Sequence, residues 1–158
     1  MQDKVQQLAV VLDDLFSDYN VSPQEVLQAL AKRKEDNIPL SAFKTKNLSS
    51  FEVIVKYLKE NQGKKYSEIA RLTNRNDRTI WSTYSHAISK CPHTLDISGP
   101  VFIPVFIFSK RDKSVLETLV IYLKETLGFS FKKIAILLSK NYQTIYTSYR
   151  RGSLKWSI

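Results

Sequence analysis

The sequence predicts an all-α protein built from two tandem three-helix units preceded by an N-terminal helical hairpin. Three observations carry this. Residues 38–90 laid over 103–155 at a constant offset of 65 need no gap, and 19 of the 53 positions are identical, so the chain contains an internal repeat. Each copy places apolar residues at helical spacing, with Phe51, Ile54, Val55 and Leu58 in one and Leu116, Leu119, Val120 and Leu123 in the other. A capping-box pattern stands before each stripe, Ser49-x-x-Glu52 and Ser114-x-x-Glu117, and Gly63 and Gly128 stand where the helices would end.

The elements follow in order. Residues 1–37 lie outside the repeat. Val5, Leu8, Val11, Leu12, Leu15 and Phe16 form a wide apolar stripe on one helix. Ser22-Pro23-Gln24-Glu25 then opens a second, with a capping box and proline at the first helical position. Val26, Leu27 and Leu30 supply its apolar face, and Lys32, Arg33 and Lys34 suit the negative end of its dipole. A two-helix hairpin buries too little surface to stand alone. Self-association into a homodimer, cover over the repeats, and contact with a different protein all remain open for it.

The first copy, 38–90, continues with a short helix from Ser67 to Leu72 and a third from Asp77 to Ile88. Their inward residues are Ile69 and Leu72, then Ile80, Tyr84, Ala87 and Ile88. The linker, 91–102, reads CPHTLDISGPVF and is too polar and broken for a helix. The second copy, 103–158, begins in an apolar run, Val101 to Phe108, that Pro104 interrupts and that fits a short buried segment. Its later helices run from Phe131 to Leu138, with Ile134 and Leu137 inward, and from Tyr142 to Arg151, with Ile145 and Tyr149 inward. Gly152 is expected to stop the last one. Two copies do not make a solenoid; they are expected to make two small domains of one design.

Charge divides unevenly. Residues 1–37 hold four basic and seven acidic side chains, whereas 38–90 hold ten and four, and 103–158 hold ten and three. The net charge of +9 therefore sits on the two copies. Such a surface attracts polyanions, although a solvated lysine-rich face carries the same charge. No apolar run reaches membrane-span length, and the opening MQDKVQQ is mixed polar, unlike a secretory signal. Cys91 is the only cysteine, so no internal disulfide forms and a reducing, cytoplasmic setting is expected. Enzyme chemistry finds little support. His86 and His93 are the only histidines and no metal-ligand spacing accompanies them. The carboxylate pairs Asp13/Asp14 and Glu35/Asp36 are helix neighbours that face different ways. Four glycines leave no phosphate loop. No cofactor or metal is expected.

A short helix, a tight turn and a second helix on a supporting helix is the helix-turn-helix design. The spacing Ala70, Asn74, Ile80, repeated as Ala135, Ser139, Ile145, resembles the small-residue, turn and core positions of DNA-binding helix-turn-helix units. The phrase SEIARLTNRNDRTI is similar to the promoter-reading region 4 of sigma-70-type factors. A looser likeness to the DNA-binding domain of bacterial replication initiators lies around Asp77, Arg78 and Thr79. The resemblance covers residues 48–90 and 113–155. It departs at the turn, where the usual glycine is Asn74 or Ser139, and the chain has no room for the promoter-melting region of a complete sigma factor. It implies sequence-specific binding of double-stranded DNA and a role in transcription regulation. The alternative is an adaptor that touches a protein such as RNA polymerase. RNA is less favoured, because the deep A-form groove excludes helices.

A helix-turn-helix unit presents the N-terminal part of its last helix to base edges. In the first copy that edge carries Arg75, Asn76, Asp77, Arg78, Thr79, Trp81, Ser82 and Ser85. In the second it carries Lys140, Asn141, Tyr142, Gln143, Thr144, Tyr146, Thr147, Arg150 and Arg151. Arg78 suits guanine and Gln143 suits adenine. Lys64, Lys65, Lys132 and Lys133 are placed for phosphates. Plainer roles stay open beside these. Asn76 and Asn141 fit N-caps, Thr79 and Thr144 fit caps or packing, Trp81 and Tyr146 fit the edge of the core, and Arg150 and Arg151 fit a solvated helix end. The copies differ at Asp77/Tyr142 and Arg78/Gln143, so they are expected to read unlike half-sites, about 34 Å apart.

Overall fold

Two triplets ahead of the helices, Asn37-Ile38-Pro39 and Phe102-Ile103-Pro104, pair with each other. They form β1 (Asn37–Pro39) and β2 (Phe102–Pro104), an antiparallel ribbon in which Ile38 faces Ile103. Those two isoleucines are one repeat position, so the element meets itself in register, as at a two-fold axis. Proline ends each strand. It has no N–H for the ladder, and its φ (−60° at Pro39, −71° at Pro104) suits the start of a turn. Each strand therefore runs straight into one turn of 3-10 helix, Leu40–Phe43 and Val105–Phe108.

The computed structural model describes residues 2–18, 22–26 and 36–155. Its class is all-α apart from the small ribbon. α1 (Gln2–Asp18) belongs to a unit that ends at Asp36, and residues 37–158 form a second unit. In the first unit Val10 and Val11 are exposed on α1. The expected capping box is made: the Ser22 N–H donates to Glu25 Oε2 at 2.8 Å, and the Glu25 N–H donates to Ser22 Oγ at 3.2 Å. Leu27, Leu30, Lys32, Arg33 and Lys34 lie outside the described residues.

In the second unit the first copy supplies α2 (Ser50–Glu60), α3 (Tyr66–Thr73) and α4 (Asp77–Lys90). The second supplies α5 (Val115–Ile121), which runs on into a π-helical turn at Tyr122–Thr126, then α6 (Phe131–Leu137) and α7 (Tyr142–Leu154). Both supporting helices start in complete capping boxes, on Ser49/Glu52 and Ser114/Glu117. Both end at a left-handed glycine, Gly63 (φ 64°) and Gly128 (φ 68°). The chain there closes with Lys64 N–H on Leu58 O and Phe129 N–H on Leu123 O, each at 3.0 Å. Residues 91–101 contain no helix or strand. Leu95 is nevertheless buried, and the Gly99 N–H donates to Ser41 Oγ at 3.2 Å, so the linker lies along the first copy.

The two copies share one core. Ile38, Phe43, Ile54, Leu58, Ile69 and Ile80 join Ile103, Phe108, Leu119, Leu123, Ile134 and Ile145 in a single buried cluster. Phe43 and Phe108, again one repeat position, set their rings 6.4 Å apart. α2 packs on α5; α3 packs on the 3-10 turn of the second copy, and α6 on that of the first. Two separate small domains were expected, and one unit spanning both copies is found. The reason shows on α2. Its stripe predicts one buried face, yet every residue from Glu52 to Leu58 is buried, and α5 of the second copy is among the elements packed against it.

Two inward or terminal positions also differ from expectation. Ile88 is exposed. Gly152 does not stop α7; it is buried inside it, and a Cβ there would lie 2.6 Å from Ile121 Cδ1 and 3.2 Å from Glu117 Cβ. The glycine is a contact point between α7 and α5. The corresponding residue of the first copy, Ala87, is likewise fully buried.

A shared core has a measurable consequence. Ile103→Ala removes a fully buried side chain and should cost about 2–5 kcal/mol. Urea unfolding of residues 37–158 should show one transition that shifts as a whole. Separate transitions for the two copies would show that they fold independently.

Candidate nucleic-acid interface

Each copy turns from its short helix into its long one on a single left-handed residue, Asn74 (φ 53°) or Ser139 (φ 51°). Serine resists this conformation more than asparagine, at a cost of about 1–2 kcal/mol. The same closing bonds hold both turns: Arg75 N–H donates to Ala70 O at 2.9 Å and Lys140 N–H to Ala135 O at 3.0 Å. The departure from glycine therefore leaves the second turn matching the first.

The next residues start the long helices. Asn76 Oδ1 accepts from the Thr79 N–H at 2.8 Å, and Asn141 Oδ1 accepts from the Thr144 N–H at 2.7 Å. The N-cap role is thus the one made for both asparagines, and the Thr79 hydroxyl adds a third bond at 2.8 Å. Ile80 and Ile145 point into the core. Around them α4 leaves Asp77, Arg78 and Thr79 exposed and Ser82 and Ser85 half-buried, with Ser85 Oγ donating back to Trp81 O at 2.9 Å. Trp81 is 57% exposed, so it does not cover the core edge. α7 leaves Gln143, Arg150 and Arg151 exposed and Thr144 and Thr147 half-buried.

Copy two adds an aromatic cluster. Phe131, at the start of α6, meets Tyr142, Tyr146 and Tyr149 edge-on at 6.3, 5.6 and 5.1 Å. Tyr142 and Tyr146 lie nearly parallel, 7° apart in plane, and remain 47% and 37% exposed. Tyr146 therefore has both roles, packing on Phe131 and facing solvent. Asn141, Gln143, Thr144, Thr147, Ser148 and Arg151 line a separate shallow, open hollow of about 330 Å³ on α7. Ser148 was missed from sequence, since its helical position is half-buried and polar without a distinctive partner.

The flanking cations vary in availability. Lys65 is exposed at the N-terminus of α3, where its backbone N–H donates to Glu68 Oε2 at 2.7 Å. Lys64 and Lys140 are half-buried. Lys132 and Lys133 are exposed on the first turn of α6, and Lys133 Nζ sits 3.7 Å from the centre of the Phe129 ring. Arg75 is turned elsewhere. Its Nη1 donates to Thr73 O at 2.6 Å and to Phe108 O of the second copy at 3.4 Å, and the guanidinium lies 4.2 Å from the Phe51 ring centre. Burial first, then the nearby charge of Arg111, lowers its pKa from the usual value. It ties the copies together and does not stand with the outward residues of α4. One further feature is legible in composition: residues 127–158 hold six lysines and arginines and no aspartate or glutamate.

The long helices are fixed at their far ends by one carboxylate each. Glu52 Oε2 accepts from the Ser49 N–H at 2.8 Å, while Oε1 accepts from Lys90 Nζ at 2.6 Å. Glu117 has the equivalent two partners on one oxygen: its Oε2 accepts from the Ser114 N–H at 2.9 Å and from Lys155 Nζ at 2.9 Å. Tyr84 and Tyr149 add hydroxyl bonds to Glu60 and Glu125, at 3.2 and 3.1 Å.

Burial pushes the Glu52 and Glu117 carboxyls up, but the bonds from lysine and from the serine backbone outweigh it, and both end below the usual value of 4.5. A carboxyl with a depressed folded pKa stabilises above its unfolded pKa, and that contribution is lost as pH falls through the folded one. Urea midpoints measured from pH 7 to pH 3 should therefore fall steadily below about pH 4.5. The double variant Glu52→Gln, Glu117→Gln should start lower at pH 7 and show a flatter profile. Compared with protein-family models, curated proteins and solved structures, the chain matches none.

Proposed function

We propose that residues 37–158 bind double-stranded DNA sequence-specifically, that each copy acts as a helix-turn-helix unit, and that the protein regulates transcription. The observation that carries this reading is the outward face of α7. It presents Gln143, Arg150 and Arg151 with two partly exposed tyrosines, within a stretch that has no carboxylate. α4 presents Arg78, Asp77 and Trp81 on the equivalent face. Arginine and glutamine pair bidentately with guanine and adenine, and aspartate accepts from cytosine, so both faces hold side chains that read base edges in the major groove. Lys65, Lys132 and Lys133 at the short helices supply phosphate contacts, which hold register.

An adaptor role is the second reading, and one feature favours it. Trp81 and Ile88 are both exposed on α4, seven residues apart and so on one side of the helix. A protein such as RNA polymerase would bury them. Under this reading, association would respond to Trp81→Ala and little to salt.

Anisotropy of a labelled mixed-sequence duplex across 50–200 mM salt separates the two. DNA binding should give log affinity falling linearly with log salt, by about 0.9 per phosphate neutralised. Lys132→Ala with Lys133→Ala should reduce that slope by about two. Salt-insensitive or absent duplex binding would overturn the proposal.

For residues 1–37 we propose self-association, supported by the apolar Val10 and Val11 exposed on α1. Light scattering should give a dimer mass for the whole chain and a monomer mass once those residues are removed. Equal masses would refute it. Among the described residues no helix is long and apolar enough to cross a membrane.

A further inference from the structure

Two reading helices in one chain can be aimed in the same direction or in opposite ones, and the junction between the copies distinguishes these. Ile38 faces Ile103 across the ribbon, and the Phe43 ring lies beside that of Phe108. In each pair a residue meets its own counterpart at the offset of 65. The packing of the short helices is reciprocal as well, α3 on the 3-10 turn of the second copy and α6 on that of the first. A head-to-tail array joins unlike surfaces and has no self-pairs; a two-fold junction pairs each surface with itself. The same rotation that exchanges Ile38 with Ile103 exchanges α4 with α7.

A two-fold reader matches half-sites in opposite orientation on the duplex, because palindromy in the site mirrors the axis in the protein. The axis here relates backbones and not outward side chains. Asp77 stands opposite Tyr142 in the repeat, Arg78 opposite Gln143, Ser85 opposite Arg150 and His86 opposite Arg151. Resting on the DNA reading above, we propose that a single chain recognises an imperfect inverted repeat, with α4 on one half and α7 on the other. The chain thereby has the geometry of a symmetric dimer with two different reading heads.

The test is enrichment of the full chain on a duplex pool with a random core of about 30 base pairs, roughly three helical turns. The expected product is a pair of half-sites in opposite orientation with different sequences. Arg78→Ala should then relax one half only, and Gln143→Ala the other only, each by roughly 5- to 150-fold at one base pair. Both side chains are exposed, and circular dichroism of each variant checks that the fold is kept. Half-sites in the same orientation, a lone half-site, or relaxation of both halves by Arg78→Ala would overturn the inverted arrangement and leave DNA binding standing. No enrichment, together with salt-insensitive duplex binding, would overturn both.

Discussion

The meeting of Ile38 with Ile103 is the constraint on which the second unit rests. A three-helix unit of about 50 residues buries a smaller fraction of its surface than a larger domain does and is marginal alone. Here neither copy closes its own core. Each lends a strand and a 3-10 turn to the other, and Phe43 and Phe108 meet in the middle. A two-fold junction makes this economical in sequence terms, because one self-complementary patch, Ile-Pro followed by a phenylalanine four residues on, serves both partners at once.

Closing the core on that side leaves α4 and α7 with light structural duties. Each needs one buried isoleucine, one small residue against the supporting helix, a tyrosine to Glu60 or Glu125 and a lysine to Glu52 or Glu117. Those positions agree between the copies or change only from Ala87 to Gly152, while outward ones such as Asp77/Tyr142 and Arg78/Gln143 differ. The two outward faces are therefore free to diverge without loosening the scaffold. Where the copies do differ inside, the difference is compensated locally. Lys56 is fully buried because Glu60 takes its ammonium at 2.7 Å, and the second copy places Ile121 at that position, against Gly152.

Arg75 shows how a residue's role depends on where its neighbours come from. By spacing it stands at the turn ahead of α4, among the cations expected to face DNA. Phe108 O and the Phe51 ring draw it into the junction. The carbonyl that holds it lies 33 residues away in sequence, so no local rule anticipates the contact. The plainer reading of Asn76 and Asn141, by contrast, was available from sequence, since an N-cap is satisfied within three residues.

The sequence by itself determined the helices of the two copies, their capping boxes, the glycine ends at Gly63 and Gly128 and the repeat, because each is settled by nearby contacts along the chain or by direct self-comparison. Its all-α class followed from these. Tertiary structure alone decided that the two copies share one core, that equivalent residues meet across their junction, that Gly152 is a packing contact inside α7 and that Ile88 faces solvent. The physical reason is range. A three-residue strand is too short to show a period, and an Ile-Pro pair repeated 65 residues later reads as duplication until the two segments are placed side by side.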